Sequence, residues 1–360
     1  MSAELALSLH ASLDQLPADA GDIFEAARRG DFALGAEWFR NMVETGLPPE
    51  VEPCFAVLSR GAETVAIVPL QQRHRSLGSL TNAYTSLYMP LIAAGPAAGE
   101  TARLLGREFG RLCATRPIVR LDALPLEWRA LDAFEAGLRE SGLQVRRFAH
   151  FGNWQQNLAG ASWPAYLAAR PGMLRELLRR KPKQSARTGQ IEFEIIRDAA
   201  EIGRAVAVYE AVYRRSWKPD EPCPLFNAGL IREAACLGAL HLAIAWRRGD
   251  PIAVQLWIVA NGRATVMKLA HDMAHAALSP GTMLTANVIE ALIGEGVEMI
   301  DFGRGDDPYK RLWAGERRQR IGLILVNPRR PHGLATLALH DAGLALRRFR
   351  PDPAPHAPPG

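Results

Sequence analysis

Cysteine is scarce in this chain: four residues in 360, the widely scattered Cys54, Cys113, Cys223 and Cys236. No Cys-x-x-Cys occurs and no Cys/His cluster has metal-ligand spacing, so neither a disulfide framework nor a metal is expected. A reducing compartment suits such a chain. Cys54 and Cys113 stand in apolar runs and are expected to be buried as small hydrophobes. Long apolar runs are missing too: none approaches the ~18–20 residues that span a bilayer. The first twenty residues hold Glu4, Asp14 and Asp19 but no Lys or Arg, so they lack the charged start of a secretory signal. These absences predict a cytoplasmic protein with no membrane span and no removed leader. Lysine contributes little to the net charge of +5; arginine supplies nearly all of it. An Arg-rich surface suits phosphate-bearing ligands, because the planar guanidinium grips oxyanions through two parallel bonds. A genome that favours arginine codons gives the same excess.

What is present reads as globular. With 48% hydrophobic and 22% charged residues, a chain of this length suits two domains. Leu34, Trp38, Phe39 and Met42 share one helical face over 31–43. Residues 54–59 and 64–70 read as a hairpin of strands. Helices are expected at 100–114 and 127–141, with short strands at 118–122 and 143–148. A Ser162 cap starts a further helix, and a basic helical run spans 174–183. The second half predicts a strand at 191–196, a helix at 199–217, and strands at 240–246, 252–260 and 264–270. Asn261-Gly262 between the last two is a strong hairpin turn signal. A helix at 281–293, strands at 299–302 and 320–326, and a last helix at 332–348 complete the pattern.

The chain repeats itself. Cys54-Phe-Ala-Val-Leu-Ser-Arg-Gly-Ala-Glu-Thr-Val-Ala-Ile67 echoes His241-Leu-Ala-Ile-Ala-Trp-Arg-Arg-Gly-Asp-Pro-Ile-Ala-Val254. Each is followed by a polar segment, a small-residue loop, a helix and a short strand ending in Asp (Asp122 and Asp301). This predicts an α/β (α+β) fold of two tandem units, each a mixed, mostly antiparallel sheet flanked by helices. The expected domains are 1–150, walling the substrate without catalysing, and 151–350, carrying the chemistry. A disordered Pro-rich tail is expected at 351–360.

Only the second copy has a dense charged loop after its last strand, Asp301-Phe-Gly-Arg-Gly-Asp-Asp-Pro-Tyr-Lys-Arg-Leu-Trp313. A turn needs one Gly and one Asp, not this concentration of charge. Acyl transfer from a thioester to an amine needs a base for the amine and an acid for the departing thiolate. Asp301, Asp306 and Asp272 are the carboxylates that could take the proton. Asp301 could equally brace the turn at Gly303–Gly305, and Asp307-Pro308 reads as a helix cap. His271 is the neutral-pH titrator beside them. Leu278-Ser-Pro-Gly-Thr282 opens a helix, where backbone N–H groups and the helix dipole attract anions.

Together, Val266-Met-Lys-Leu-Ala-His-Asp272, Leu278-Ser-Pro-Gly281 and Ile300-Asp-Phe-Gly-Arg-Gly-Asp-Asp-Pro-Tyr-Lys-Arg-Leu-Trp313 resemble the FemAB-like branch of the GNAT acyltransferase superfamily. They look most like its cellulose-biosynthesis-associated, CelD-type acetyltransferase domain; His271 stands where that family commonly has Tyr. The resemblance implies acyl-CoA as co-substrate, held at Ser279, Gly281, Thr282 and Lys310. It implies Tyr309 as the acid for the thiolate. Lys268, Arg304, Trp313 and Tyr84 are expected toward the acceptor: a sugar, amino acid, or envelope, polysaccharide or natural-product precursor. Two alternatives are transfer from aminoacyl-tRNA, with residues 175–183 on RNA phosphate, and a binding module without activity. The long coiled-coil insertion of aminoacyl-tRNA users is absent, so no nucleic-acid partner is expected.

Overall fold

The computed structural model describes residues 4–188 and 190–331, with scattered positions as far as Ala338. The helix expected at 332–348 and the Pro-rich tail lie outside the described residues, as do the side chains of Lys181 and Lys183. In chain order the elements are β1 (Leu5–His10), α1 (Ala20–Gly30), α2 (Ala36–Thr45), β2 (Glu52–Arg60), β3 (Glu63–Arg73), β4 (Ser76–Ser79), β5 (Leu91–Ile92), α3 (Ala98–Cys113), β6 (Val119–Pro125), α4 (Leu131–Glu140), β7 (Gln144–Asn157), α5 (Trp163–Ala168), α6 (Gly172–Thr188), β8 (Ile191–Ile196), α7 (Ile202–Arg214), α8 (Phe226–Cys236), β9 (Leu240–Arg247), β10 (Asp250–Ala260), β11 (Arg263–His271), α9 (Pro280–Gly294), β12 (Met299–Arg304), α10 (Lys310–Trp313) and β13 (Glu316–Val326). No helix among the described residues is long and apolar enough to cross a membrane.

The chain divides into two compact units. One comprises Met1–Arg28, Leu47–Phe151 and Gln319–Gly360, the other Arg29–Gly46 and Gly152–Arg318. This differs from a cut near residue 150 by two exchanged segments, each with a packing reason. In the first unit β13 lies antiparallel on β6, with Leu323 opposite Leu121 and both fully buried. In the second, α2 buries Trp38, Phe39 and Met42, and Trp38 meets Phe226 of α8 edge-on at 5.5 Å. Gly229 permits that contact, since a Cβ there would lie 2.0 Å from Asn41 Oδ1. Helix α8 was not expected from the pattern: Phe226 to Ile231 is buried without a break, so its apolar residues show no stripe.

The strand orders of the units match. The first reads β1-β2-β3-β4-β6-β13 and the second β8-β9-β10-β11-β12-β7. Within the second, two-residue turns join β9 to β10 and β10 to β11. Arg248-Gly249 and Asn261-Gly262 both take positive φ throughout, the turn whose twist suits a hairpin. Helix α9 covers the meander, burying Leu284, Val288, Ile289 and Leu292. Helix α7 packs on β10 and β11. The expected helix at 199–217 is shorter in fact, a 3-10 turn at Ala199–Glu201 followed by α7.

Candidate active site

The site begins where two parallel strands part. β11 and β12 pair only from Arg263–Thr265 to Met299–Asp301. Beyond that β11 runs on to His271, while β12 turns toward β7. Gly303 makes the parting possible. It has φ +67°, and a Cβ there would meet the Val266 carbonyl oxygen at 2.7 Å. Only glycine fits this backbone so close to a neighbour. β11 also carries an extra residue, Met267, against β10. Past Thr265 the strand therefore presents backbone N–H and C=O groups along an open edge, which an extended ligand can pair with.

Helix α9 starts beside that edge. Its first turn is Pro280, Gly281 and Thr282. Ser279, the residue before it, has a left-handed backbone (φ 54°), and its side chain caps nothing. The helix N-terminus is thus left for an anion. A chain of polar contacts fixes it: Trp257 Nε1 donates to Gln255 Oε1 at 3.0 Å, and Gln255 Nε2 donates to Thr285 Oγ1 at 2.8 Å and to the Gly281 carbonyl at 3.0 Å. Gln255 and Thr285 were not foreseen. The signal for Gln255 was one polar residue inside the apolar run Ile252–Val259.

A cavity of about 290 Å³ lies here, lined by Trp217, Gln255, Leu269, His271, Ala276, Ser279, Gly281, Thr282, Thr285, Tyr309, Leu312 and Trp313. Six of the expected site residues therefore meet: His271, Ser279, Gly281, Thr282, Tyr309 and Trp313. His271 is half-buried, and its ring lies 4.5 Å from that of Trp217. Burial pushes its pKa below the ordinary value, more than nearby Asp272 raises it, so the imidazole is neutral at pH 7. Burial also raises the Tyr309 phenol, with Asp307 adding to the effect, so the hydroxyl keeps its proton. That hydroxyl makes no hydrogen bond to another described residue. Trp313 is a wall: its ring is buried, and its carbonyl accepts from Tyr166 Oη at 2.7 Å and Arg170 Nη1 at 2.9 Å.

The other expected residues sit elsewhere and have other partners. Asp301 is 2% exposed. Its oxygens accept from Asn153 Nδ2 at 2.6 Å, Gly303 N at 2.7 Å and Gln155 Nε2 at 2.8 Å. It ties β12 to β7 and braces the Gly303 turn. Asp306 accepts both arms of Arg317 at 2.7 Å, Trp154 Nε1 at 3.0 Å and Gly152 N at 3.2 Å. The Arg317 guanidinium holds its carboxyl below the usual carboxylate range, which makes it a weak base. Asp272 accepts from Ala274 N at 2.9 Å, capping the 3-10 turn Met273–Leu278, and lies 3.4 Å from Arg215 Nε. Lys310 Nζ donates to the Arg304 carbonyl, to the Gly305 carbonyl at 3.2 Å and to Asp307 at 3.1 Å. It clasps its own loop rather than facing α9. Lys268 pairs with Glu221 at 3.0 Å. Arg304 is exposed at the end of β12. Tyr84 is a buried residue of the first unit and does not line the cavity.

Comparisons with known proteins bear on the fold around this cavity. Residues 173–311 match the family model described as the acetyltransferase (GNAT) domain. None of the curated proteins matches the chain. Among solved structures, FemX is similar at 9% identity and a TM-score of 0.58, over 89% of this chain and 98% of that one. The C-terminal domain of a lysylphosphatidylglycerol synthetase candidate from Agrobacterium fabrum aligns at 14% identity and a TM-score of 0.53, over 91% and 97%. L-PGS from Bacillus licheniformis aligns at 12% identity and a TM-score of 0.50, over 83% and 90%. At such identities the likeness is one of fold. The chain folds as two mixed α/β units, and residues 173–311, within the second, are similar to the acetyltransferase (GNAT) domain.

Proposed function

We propose that the protein moves an acyl group from acyl-CoA to an amine or hydroxyl of a small-molecule or cell-envelope precursor. The observation that carries this is the cavity itself. It joins an open strand edge, an uncapped helix start, a neutral imidazole and a phenol with no hydrogen-bond partner among the described residues. The edge of β11 past Thr265 suits the two amides of the pantetheine arm, and the first turn of α9 at Ser279, Gly281 and Thr282 suits the phosphates. The acceptor nitrogen attacks the thioester carbon. His271, directly or through a water, takes the proton that the nitrogen loses, and Tyr309 gives its proton to the sulfur as the C–S bond breaks. His271 suits the base role better than Asp301, Asp306 or Asp272, whose oxygens are already bonded elsewhere.

The test is binding and turnover. Acetyl-CoA or a longer acyl-CoA is expected to raise the melting temperature, and CoA is expected to appear when amines are added, read with a thiol reagent. Stabilisation by aminoacyl-tRNA with none by acyl-CoA would replace this reading with aminoacyl transfer. A response to neither would make the chain a binding module.

A further inference from the structure

The chain has only five lysines among its 43 Lys and Arg residues. Two of them, Lys268 and Lys310, stand close enough to a third, Lys218, to repel it. Two carboxylates face the trio, and both are already engaged. Glu221 accepts from Lys268, Tyr209 and Asn227, each at 3.0 Å. Asp307 pairs with Lys310, whose ammonium also serves two loop carbonyls. That leaves Lys218, in the connection from α7 to α8. Its Nζ lies 5.6 Å from the centroid of the Trp217 ring and makes no hydrogen bond to a described residue. Desolvation, with Lys268 and Lys310 adding to it and Glu221 and Asp307 opposing, lowers its pKa to about 8. Beyond that ring face, no described carboxylate bonds to the half-buried ammonium, which is costly, and an arriving anion would relieve it.

Trp217 connects this ammonium to the cavity, because the same ring lines the cavity and lies against His271. The first turn of α9 is a separate anion site, which the proposed reaction assigns to the donor's phosphates. We infer that Lys218 receives a carboxylate or phosphate on the acyl acceptor, so that the substrate class is amines that also carry an anion. This rests on the acyl-CoA reading for assigning the anion to the acceptor rather than the donor.

Two experiments on the full chain separate that inference from the reading beneath it. The first needs no turnover. The lysines are methylated with ¹³C and titrated by NMR, and Lys218→Met identifies the Lys218 signal. Its midpoint is expected to rise by at least one pH unit with glucosamine 6-phosphate or with alanine. It should not move with glucosamine or alaninamide, and the two pairs tell phosphate from carboxylate. The second is steady-state kinetics with acetyl-CoA and the same amines. Lys218→Met should raise KM for the anionic amine at least tenfold and leave KM for acetyl-CoA within twofold, and Lys218→Arg should restore the acceptor KM to within threefold. A midpoint unmoved by both anions overturns the inference. So does a KM loss confined to acetyl-CoA, which would make Lys218 a donor contact. If no amine turns over, the acyl-CoA reading fails, and the titration alone still decides whether Lys218 binds an anion.

Discussion

The two units share a strand order, and in each the strand after the covering helix has a left-handed residue near its end: Ala123 (φ 62°) in β6 and Gly303 (φ 67°) in β12. They differ in what occupies the fork beside that end. In the first unit the chain fills it. Asp122 N donates to Ser79 Oγ at 2.9 Å, Ala123 N to His150 Nδ1 at 3.1 Å, and Tyr88 N to the Ala123 carbonyl at 3.1 Å. Tyr88 is 1% exposed, with its hydroxyl on the Pro69 carbonyl at 2.7 Å. In the second unit a short turn, Met273–Leu278, stands where the first has residues 80–97, among them Tyr88, and the fork remains a cavity. A fork whose backbone groups the protein satisfies is structure; one left open has groups to offer a ligand.

The sharpest way to test that contrast is at the phenol of Tyr309. Tyr309→Phe is expected to lower kcat about 100-fold, the low end for losing a general acid, with the far-UV circular dichroism unchanged. Tyr88→Phe removes a phenol that is already bonded inside the filled fork, and it should leave kcat within twofold. Equal losses in the two variants would erase the distinction between the forks.

The Asp at each strand end gives the next test, and it concerns stability. Asp301→Ala leaves the donors of Asn153, Gln155 and Gly303 without an acceptor in a buried setting. A loss of about 2–3 kcal/mol in urea unfolding is expected. Asp122 forms an outer ion pair with the half-exposed Arg120 at 2.8 Å, and Asp122→Ala should cost no more than about 1 kcal/mol. Seven of the eight tryptophans lie in the second unit, so fluorescence follows the first of these variants directly.

Much of this was legible in the sequence and part was not, for definite reasons. The meander β9–β11 showed through its apolar runs and Asn261-Gly262, and the duplication showed through the repeated hairpin. The charged loop at 301–313 marked the strand end beside the cavity but blurred its roles. Carboxylates look catalytic when counted along a chain; only the three-dimensional partners reveal that Asp301 and Asp306 are bonded to Asn153, Gln155, Trp154 and Arg317. Those partners lie 11 to 152 residues away in sequence, beyond any local pattern. Lys218 was missed for the opposite reason: its distinction is that no described carboxylate bonds to it. The exchange of α2 and β13 between units was hidden because packing, not chain order, decides it.

The smallest effects come from exchanging the two left-handed residues. Gly303→Ala is expected to cost about 2 kcal/mol, since an L-residue pays 1–2 kcal/mol in that region and the new methyl would press on the Val266 carbonyl at 2.7 Å. The opposite change, Ala123→Gly, sets three terms against one another. It relieves a similar backbone strain. It loses a methyl that is fully buried, about 0.8 kcal/mol, and it loosens the unfolded chain by about 0.5–1 kcal/mol. The sum is within about 1 kcal/mol of the parent, read as the urea midpoint by circular dichroism. A large loss at Ala123 would mean that its methyl helps to seal the filled fork, and the forks would then differ in side-chain packing as well as in hydrogen bonding.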